Sequence, residues 1–200
     1  MSVKKILKYG DERLRCKTKE VSKISKKIKT LIEDMLDTMY ANNGVGLAAP
    51  QVGEPLKIFV IDVSLPKEPF CPRVFVNPKI ISKERPVICS EGCLSFPAVF
   101  TDVVRYKDVK VKALDIHGKS FVLEAKDGEL LARAIQHEYD HLDGILFVDR
   151  VTNRFDADAE LGKCDLPPVD PDKMVIDEGI NIEELEHLVE KKPAEDEKVD

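Results

Sequence analysis

His137-Glu138-Tyr139-Asp140-His141 sets two histidines four residues apart, with a glutamate directly after the first. On a helix, residues at i and i+4 share a face, so both imidazoles can close on one divalent ion while Glu138 reaches a water activated by that ion. The chemistry this implies is metal-assisted hydrolysis. A catalytic centre of this kind also needs a third protein ligand and an open position. A third histidine three residues after Gly144 would complete the metzincin pattern, but Phe147 stands there. A glutamate on a following helix, as in thermolysin-like proteases, would have to come from the acidic C-terminal stretch. The remaining candidate is sulfur, offered by Cys93 in Glu91-Gly92-Cys93-Leu94-Ser95, where Gly92 allows close backbone approach. Cys89 is its rival. With both cysteines the site would be a closed Cys2His2 structural centre, yet four extended residues span roughly 13 Å at about 3.3 Å each. Two sulfurs on one tetrahedral ion lie within roughly 4 Å of each other. Unless Gly92 turns the chain back sharply, a single cysteine binds and the open, catalytic arrangement is favoured.

A third chemical element is Gly44-Val45-Gly46-Leu47-Ala48-Ala49-Pro50-Gln51. Its glycines do not make a phosphate loop, because no Lys-Ser/Thr follows and no strand pattern precedes. Gln51 instead supplies an uncharged donor amide, suited to a developing oxyanion beside a metal.

These segments need elements to hold them. Ile24, Ile28, Leu31, Ile32, Met35 and Met39 recur at three- and four-residue steps, which predicts an amphipathic helix over 22–42 with Ser22 as its N-cap. The Gly44–Gln51 segment reads as a loop, Leu56–Val63 and Val74–Ser82 as strands, and 86–96 as extended. Pro66, Pro69 and Pro72 mark the connection between the first two strands. Residues 103–126 alternate, with Val109 and Val111 opposed to Lys110 and Lys112, and His117-Gly118 turns them into a hairpin. Helical spacing returns from Gly128 to Asp143 and carries the histidine pair. The class is α+β, with short antiparallel strands packed around a central metal-binding helix.

At 200 residues, 43% hydrophobic and 34% charged, the chain can form one globular domain plus a tail, and disorder is excluded for most of its length. No apolar run approaches the roughly 18 residues of a membrane span, and the first residues lack the apolar run of a secretory signal. A soluble, cytoplasmic protein with no membrane partner is expected. Five cysteines in that setting are free thiols or ligands rather than disulfides. The net charge of −6 hides a division: residues 1–155 carry net +5 and residues 156–200 net −11. The division marks a catalytic domain over 1–155 and an acidic extension over 156–200. Pro167-Pro168 and Pro171 make the extension mostly linker or disordered, and its last eight residues belong to that disorder. Asn181 with Glu184, then Ile182, Leu185, Leu188 and Val189 before Pro193, suggest a short helix near 182–192. The lysines of the first 29 residues lack interleaved aromatics, so they read as a solvated face and not as a sequence-specific nucleic-acid site.

GVGLAAPQ, EGCLS and QHEYDH together, in this order, resemble the three signature motifs of the peptide deformylase family. The likeness extends over about residues 4–151, through Ile58–Val63, Val76-Asn77-Pro78 and Gly144–Phe147. It implies the deformylase fold and removal of the N-formyl group from formyl-methionine on nascent chains at the ribosome, with release of formate. Cys93, His137 and His141 would then hold one divalent ion per chain, Fe2+ first, with Zn2+, Ni2+ or Co2+ able to take its place. Thiolate softness suits iron and zinc alike, so the residues do not choose between them. Glu138 would be the general base, and Gln51 with the Leu94 backbone N–H would meet the oxyanion. Val45, Gly46, Glu91, Gly92, Arg105, Leu130 and Arg133 match positions expected around the substrate, with Val45 and Leu130 as apolar walls for methionine. Glu91 and Arg105, opposite in charge, are expected to pair near the site. A protease for internal peptide bonds and a non-catalytic metal module are the competing readings, and Glu138 with Gln51 count against the second.

Overall fold

The computed structural model describes residues 2–65 and 68–187. Five strands make one antiparallel sheet in chain order: β1 (Gly46–Ala48), β2 (Ile58–Ile61), β3 (Arg73–Cys93), β4 (Phe96–Leu114) and β5 (Ser120–Ala125). Alternation in β2 sends its residues both ways. Ile58 and Val60 join a core with Leu31, Ile32, Met35 and Met39 of helix α1 (Lys26–Ala41). Phe59 and Ile61 join a second core with Ala132, Ile135 and Leu142 of helix α2 (Leu130–Leu142). The sheet therefore lies between the two helices, and α2, which carries the histidine pair, has its apolar face on β2 and β4.

Three local expectations are revised. Helix α1 starts at Lys26, and its cap is Ser25, whose Oγ accepts from the Ile28 N–H at 3.4 Å, so the cap is not Ser22. Part of the glycine-rich loop is the edge strand β1, paired with β2, followed by a 3-10 turn at Ala49–Val52. The strands are not all short: 74–82 and 86–96 largely merge into the 21-residue β3, paired with the 19-residue β4. Register shifts between Val76 and Lys79 and between Ile80 and Ser82 break the alternation there. Lys83, Glu84, Arg85 and Pro86 cover no core, which removes the hydrophobic signal just where pairing continues.

The C-terminal stretch departs further from expectation. Helix α3 (Arg154–Lys163), capped by Asn153, starts before the charge boundary at 155 and crosses it. Its Ala157 and Leu161, with Val169 beyond it, are buried among Leu7, Leu14, Phe96 and Val151. Composition weighs the acids and overlooks these few apolar contacts, which suffice to seat the segment. Helix α4 (Ile182–His187) follows Asn181, whose side chain accepts from the Glu183 N–H at 3.1 Å. Leu188, Val189, Pro193, the last eight residues and Pro66 lie outside the described residues. No helix among the described residues is long and apolar enough to cross a membrane.

Asp62 secures the sheet edge that carries β1. Its backbone N–H donates to the Val45 carbonyl at 2.9 Å. Its carboxylate accepts from the Tyr40 hydroxyl at 2.7 Å and the Cys71 N–H at 3.0 Å, and from Ser64 N–H and Oγ at 3.0 and 2.6 Å. Burial opposes the charge, but these donors hold the carboxyl below its usual range. A lowered native pKa contributes stability above the unfolded value near 4, which is lost as pH falls. Asp62→Ala should therefore cost about 2 kcal/mol at pH 7, or roughly 4–8 °C of Tm, by the worth of hydrogen bonds to charged groups. Thermal melts from pH 7 to pH 3 check this: the gap from wild type should narrow on acidification.

Candidate metal centre

Three elements converge on one point. The end of β3 brings Glu91, Gly92 and Cys93, α2 brings His137, Glu138 and His141, and the turn after β1 brings Gln51. Donor atoms of Cys93, His137 and His141 all lie within 4.8 Å of one another, with Cys93 Sγ 3.4 Å from His141 Nε2. The register shift at Gly92/Cys93, just before the turn Leu94-Ser95, sets the cysteine beside α2. Cys89 is not in this group. Its thiol sits 3.8 Å from Glu91 Oε1, where burial foremost, with the Glu91 charge, pushes it up to about 11. Cys93 is thus the sulfur of the site.

His137 Nδ1 lies 2.9 Å from Glu91 Oε2, which leaves Nε2 as the nitrogen that could ligate. Glu91 is buried, yet Arg105 and His137 outweigh the desolvation and keep its carboxyl well below the usual range. Arg105 donates to both Glu91 oxygens at 2.9 Å and also pairs with Asp140. His141 is held well below its ordinary pKa, by burial first, which favours the neutral form that metal ions bind, whereas Cys93 and Glu91 outweigh burial and hold His137 well above its own, so an ion bound there would displace a proton. The donor set fits a divalent ion: one thiol, one oriented imidazole and one neutral imidazole.

Gln51 is locked. Its Oε1 accepts from the Ala48 N–H at 2.8 Å, so Nε2 faces Ser95 Oγ at 3.2 Å and Cys93 Sγ at 3.4 Å. Ser95, buried within the EGCLS motif, had no role in the sequence reading, and only its place beside Cys93 could have signalled one. Glu138 presses against Gly46, where an added Cβ would come within 2.4 Å of its Oε1. Burial, reinforced by the Glu91 charge, pushes the Glu138 carboxyl up to about 7. Its Oε2 and His141 Nδ1 are buried with no hydrogen-bond partner among the described residues. The orphaned Glu138 oxygen beside a donor cluster marks a place built for something more than the protein itself.

These groups open into a cavity of about 520 Å³, of a size that admits a small molecule or a peptide end. Val45, Gly46, Gln51, Glu91, Gly92, Cys93, Leu94, Leu130, Arg133, His137 and Glu138 all line it. His141 lies behind the wall. Arg105 does not reach the cavity, which corrects its expected place beside the substrate: it is 2% exposed and sits beneath Glu91. The reason is charge, since two buried carboxylates claim its guanidinium. Arg133 keeps a buried Nε without a partner among the described residues. Lys8 and Phe100 line the cavity and were not foreseen. Phe100 is 64% exposed with its ring over Gly92, where a Cβ would meet it at 2.6 Å. An apolar residue in an alternating strand carries no mark of facing a cavity.

The family profile described as polypeptide deformylase matches residues 3–156. The chain belongs to that family. A peptide deformylase of Clostridium botulinum (strain Alaska E43 / Type E3) is 49% identical over 154 residues, 77% of this chain and all of that protein. Among solved structures, a peptide deformylase from Synechococcus elongatus in complex with actinonin superposes with a TM-score of 0.77 at 44% identity. That match covers 82% of this chain and 91% of the other. One from Legionella pneumophila gives 0.74 at 44% identity, covering 82% and 96%. The resemblance seen in the three motifs is borne out, and the chain is a hydrolase of the metal-dependent class.

Proposed function

We propose that this enzyme hydrolyses the N-formyl group of formyl-methionine with one divalent ion per chain, held by Cys93, His137 and His141, and with Glu138 moving the protons. Removal of that group from nascent polypeptides is the activity of the family to which the chain belongs. The observation that carries the assignment of roles is the buried Glu138 carboxylate. It has one oxygen without a partner among the described residues, beside three donor atoms and the aimed Gln51 amide. When bound, the ion supplies Lewis acidity, making water a better acid and polarising the formyl carbonyl. Glu138 takes a proton from the attacking water at its carboxylate. An affinity near neutrality lets the same group accept that proton and later deliver it to the departing amine. Gln51 Nε2 and the Leu94 backbone N–H donate toward the oxygen on which negative charge grows.

Specificity follows from the walls. Gly46 lies against Glu138 and Leu94 against Gly44, and to this crowding we assign the exclusion of an acetyl methyl where a formyl hydrogen is admitted. Val45 and Leu130, both exposed at the cavity, flank the methionine side chain, and Glu91 and Gly92 line the same cavity. Arg133, one turn before His137 on α2, narrows the pocket mouth. Fe2+ is the native ion, with Zn2+, Ni2+ or Co2+ as substitutes, and the enzyme acts in the cytoplasm on chains emerging from the ribosome. Formate release from formyl-Met and acetyl-Met peptides, measured anaerobically with metal content on the same sample, tests this. A preference for formyl of at least about 100-fold is expected, on the scale of one badly placed group in a packed site. Equal rates would overturn the specificity reading, and activity indifferent to air would overturn iron.

A further inference from the structure

Past the residues matched by the family profile, the chain turns back toward the metal centre. After Val169 it forms a short 3-10 turn at Pro171–Lys173, and the Val175 N–H donates to the Asp149 carbonyl at 2.7 Å. Two residues on, Asp177 meets three side chains. Its Oδ2 accepts from the Tyr106 hydroxyl at 2.9 Å and from the Lys83 ammonium, and its Oδ1 faces Arg150 Nη1 at 3.5 Å.

Arg150 is where the tail enters a line of buried charges. It donates to Asp140 through Nε at 2.6 Å and Nη2 at 2.8 Å. Asp140 sits on α2 between the two histidine ligands and also accepts from Arg105, which grips Glu91, which orients His137. Signs alternate from Asp177 through Arg150, Asp140 and Arg105 to Glu91, whose carboxylate faces His137 Nδ1. The critical link is one atom. Asp140 Oδ2 accepts from both Arg150 Nε and Arg105 Nη1, so the shared oxygen ties the placement of one guanidinium to that of the other. Whatever holds Arg150 from outside therefore bears on how Arg105 meets Asp140. Without the Asp177 charge, Arg150 would face Asp140 alone, and the Lys83 ammonium would stand nearby with no carboxylate between them. At low effective dielectric such an imbalance acts over several ångströms.

We propose that Asp177 is a positioning residue for the metal centre, which fixes Arg150 and through Asp140 and Arg105 sets the Glu91 carboxylate that orients His137. The C-terminal segment is then a strap that belongs to the enzyme's working part. The proposal rests on the reading of His137 as a metal ligand, and its test separates the two. Direct partners of metal-bound histidines are worth about 10- to 100-fold in affinity, and Asp177 acts from further out, so about 3- to 10-fold is expected.

The experiment uses the full chain and Co2+ as probe, with affinity measured by chelator competition and the thiolate-to-cobalt absorption band recorded. Deformylation kcat and KM are measured beside it. Asp177→Asn should weaken Co2+ binding 3- to 10-fold, shift the band and lower kcat with KM unchanged, and Asp177→Glu should restore all three. His137→Ala should abolish tight Co2+ binding. If His137→Ala binds Co2+ like the wild type, the ligand reading falls. If His137→Ala loses the ion but Asp177→Asn lowers only Tm, with affinity and band as in the wild type, the ligand reading stands and the strap is merely structural.

Discussion

Glu138→Gln should give a folded protein that still takes up its metal and releases formate about 10³- to 10⁴-fold more slowly, the upper range for loss of a positioned acid–base group. The substitution keeps the shape of a side chain pressed on Gly46 and removes only the ability to accept a proton. The loss should be large because one carboxylate serves both steps, deprotonating the water and protonating the amine. Structural damage should be small, since Glu138 Oε2 has no protein partner to lose among the described residues. Formate quantified over hours, with metal content and Tm on the same preparation, checks it. A rate within tenfold of wild type would move the proton-transfer role to another group.

Arg105→Met should be the most destabilising single change at the centre. Its guanidinium is 2% exposed and binds two carboxylates that are themselves buried. Methionine fills much of the volume but strands Glu91 and Asp140. Removing one partner from a buried ion pair costs about 3–5 kcal/mol, and this chain length converts that to roughly 6–20 °C of Tm. Arg105→Lys should fall between, because a single ammonium cannot grip Glu91 with two parallel bonds and reach Asp140 as well. Calorimetry of the three proteins decides it. A loss below about 1 kcal/mol in the methionine variant would mean that the network relaxes around the missing charge.

What could be read from the residues, and what could not, follows from range. The histidine pair and Glu138 are legible because helical spacing is local: four residues determine one face. Cys93 required a choice against Cys89, and that choice turned on whether β3 stays extended between them, which it does until the turn at Leu94. The line from Glu91 to Asp177 was out of reach beyond its first pair. Its members are separated by up to 86 residues, and charged side chains look the same in sequence whether solvated or buried. The Arg105–Glu91 pairing was anticipated, but the depth at which it occurs was not, so Arg105 was placed beside the substrate. The C-terminal stretch misled for the opposite reason, since its many acids outweighed the apolar residues that hold it down, among them Ala157, Leu161, Val169, Leu166 and Met174.

The glycines at 44, 46 and 92 have a consequence for how this site can change over generations. At each, a Cβ would fall within 2.4 to 2.7 Å of a neighbouring side chain: Leu94, Glu138 and Phe100 respectively. These stretches of wall are main chain, and a codon change there cannot alter the wall without disturbing a group the reaction or the pocket uses. At Gly46 that group is the buried Glu138 carboxylate itself, so an inhibitor resting there meets a point that escape mutations can scarcely touch. One leaning on Gly92 is less protected, because the exposed Phe100 ring can swing away from a new side chain.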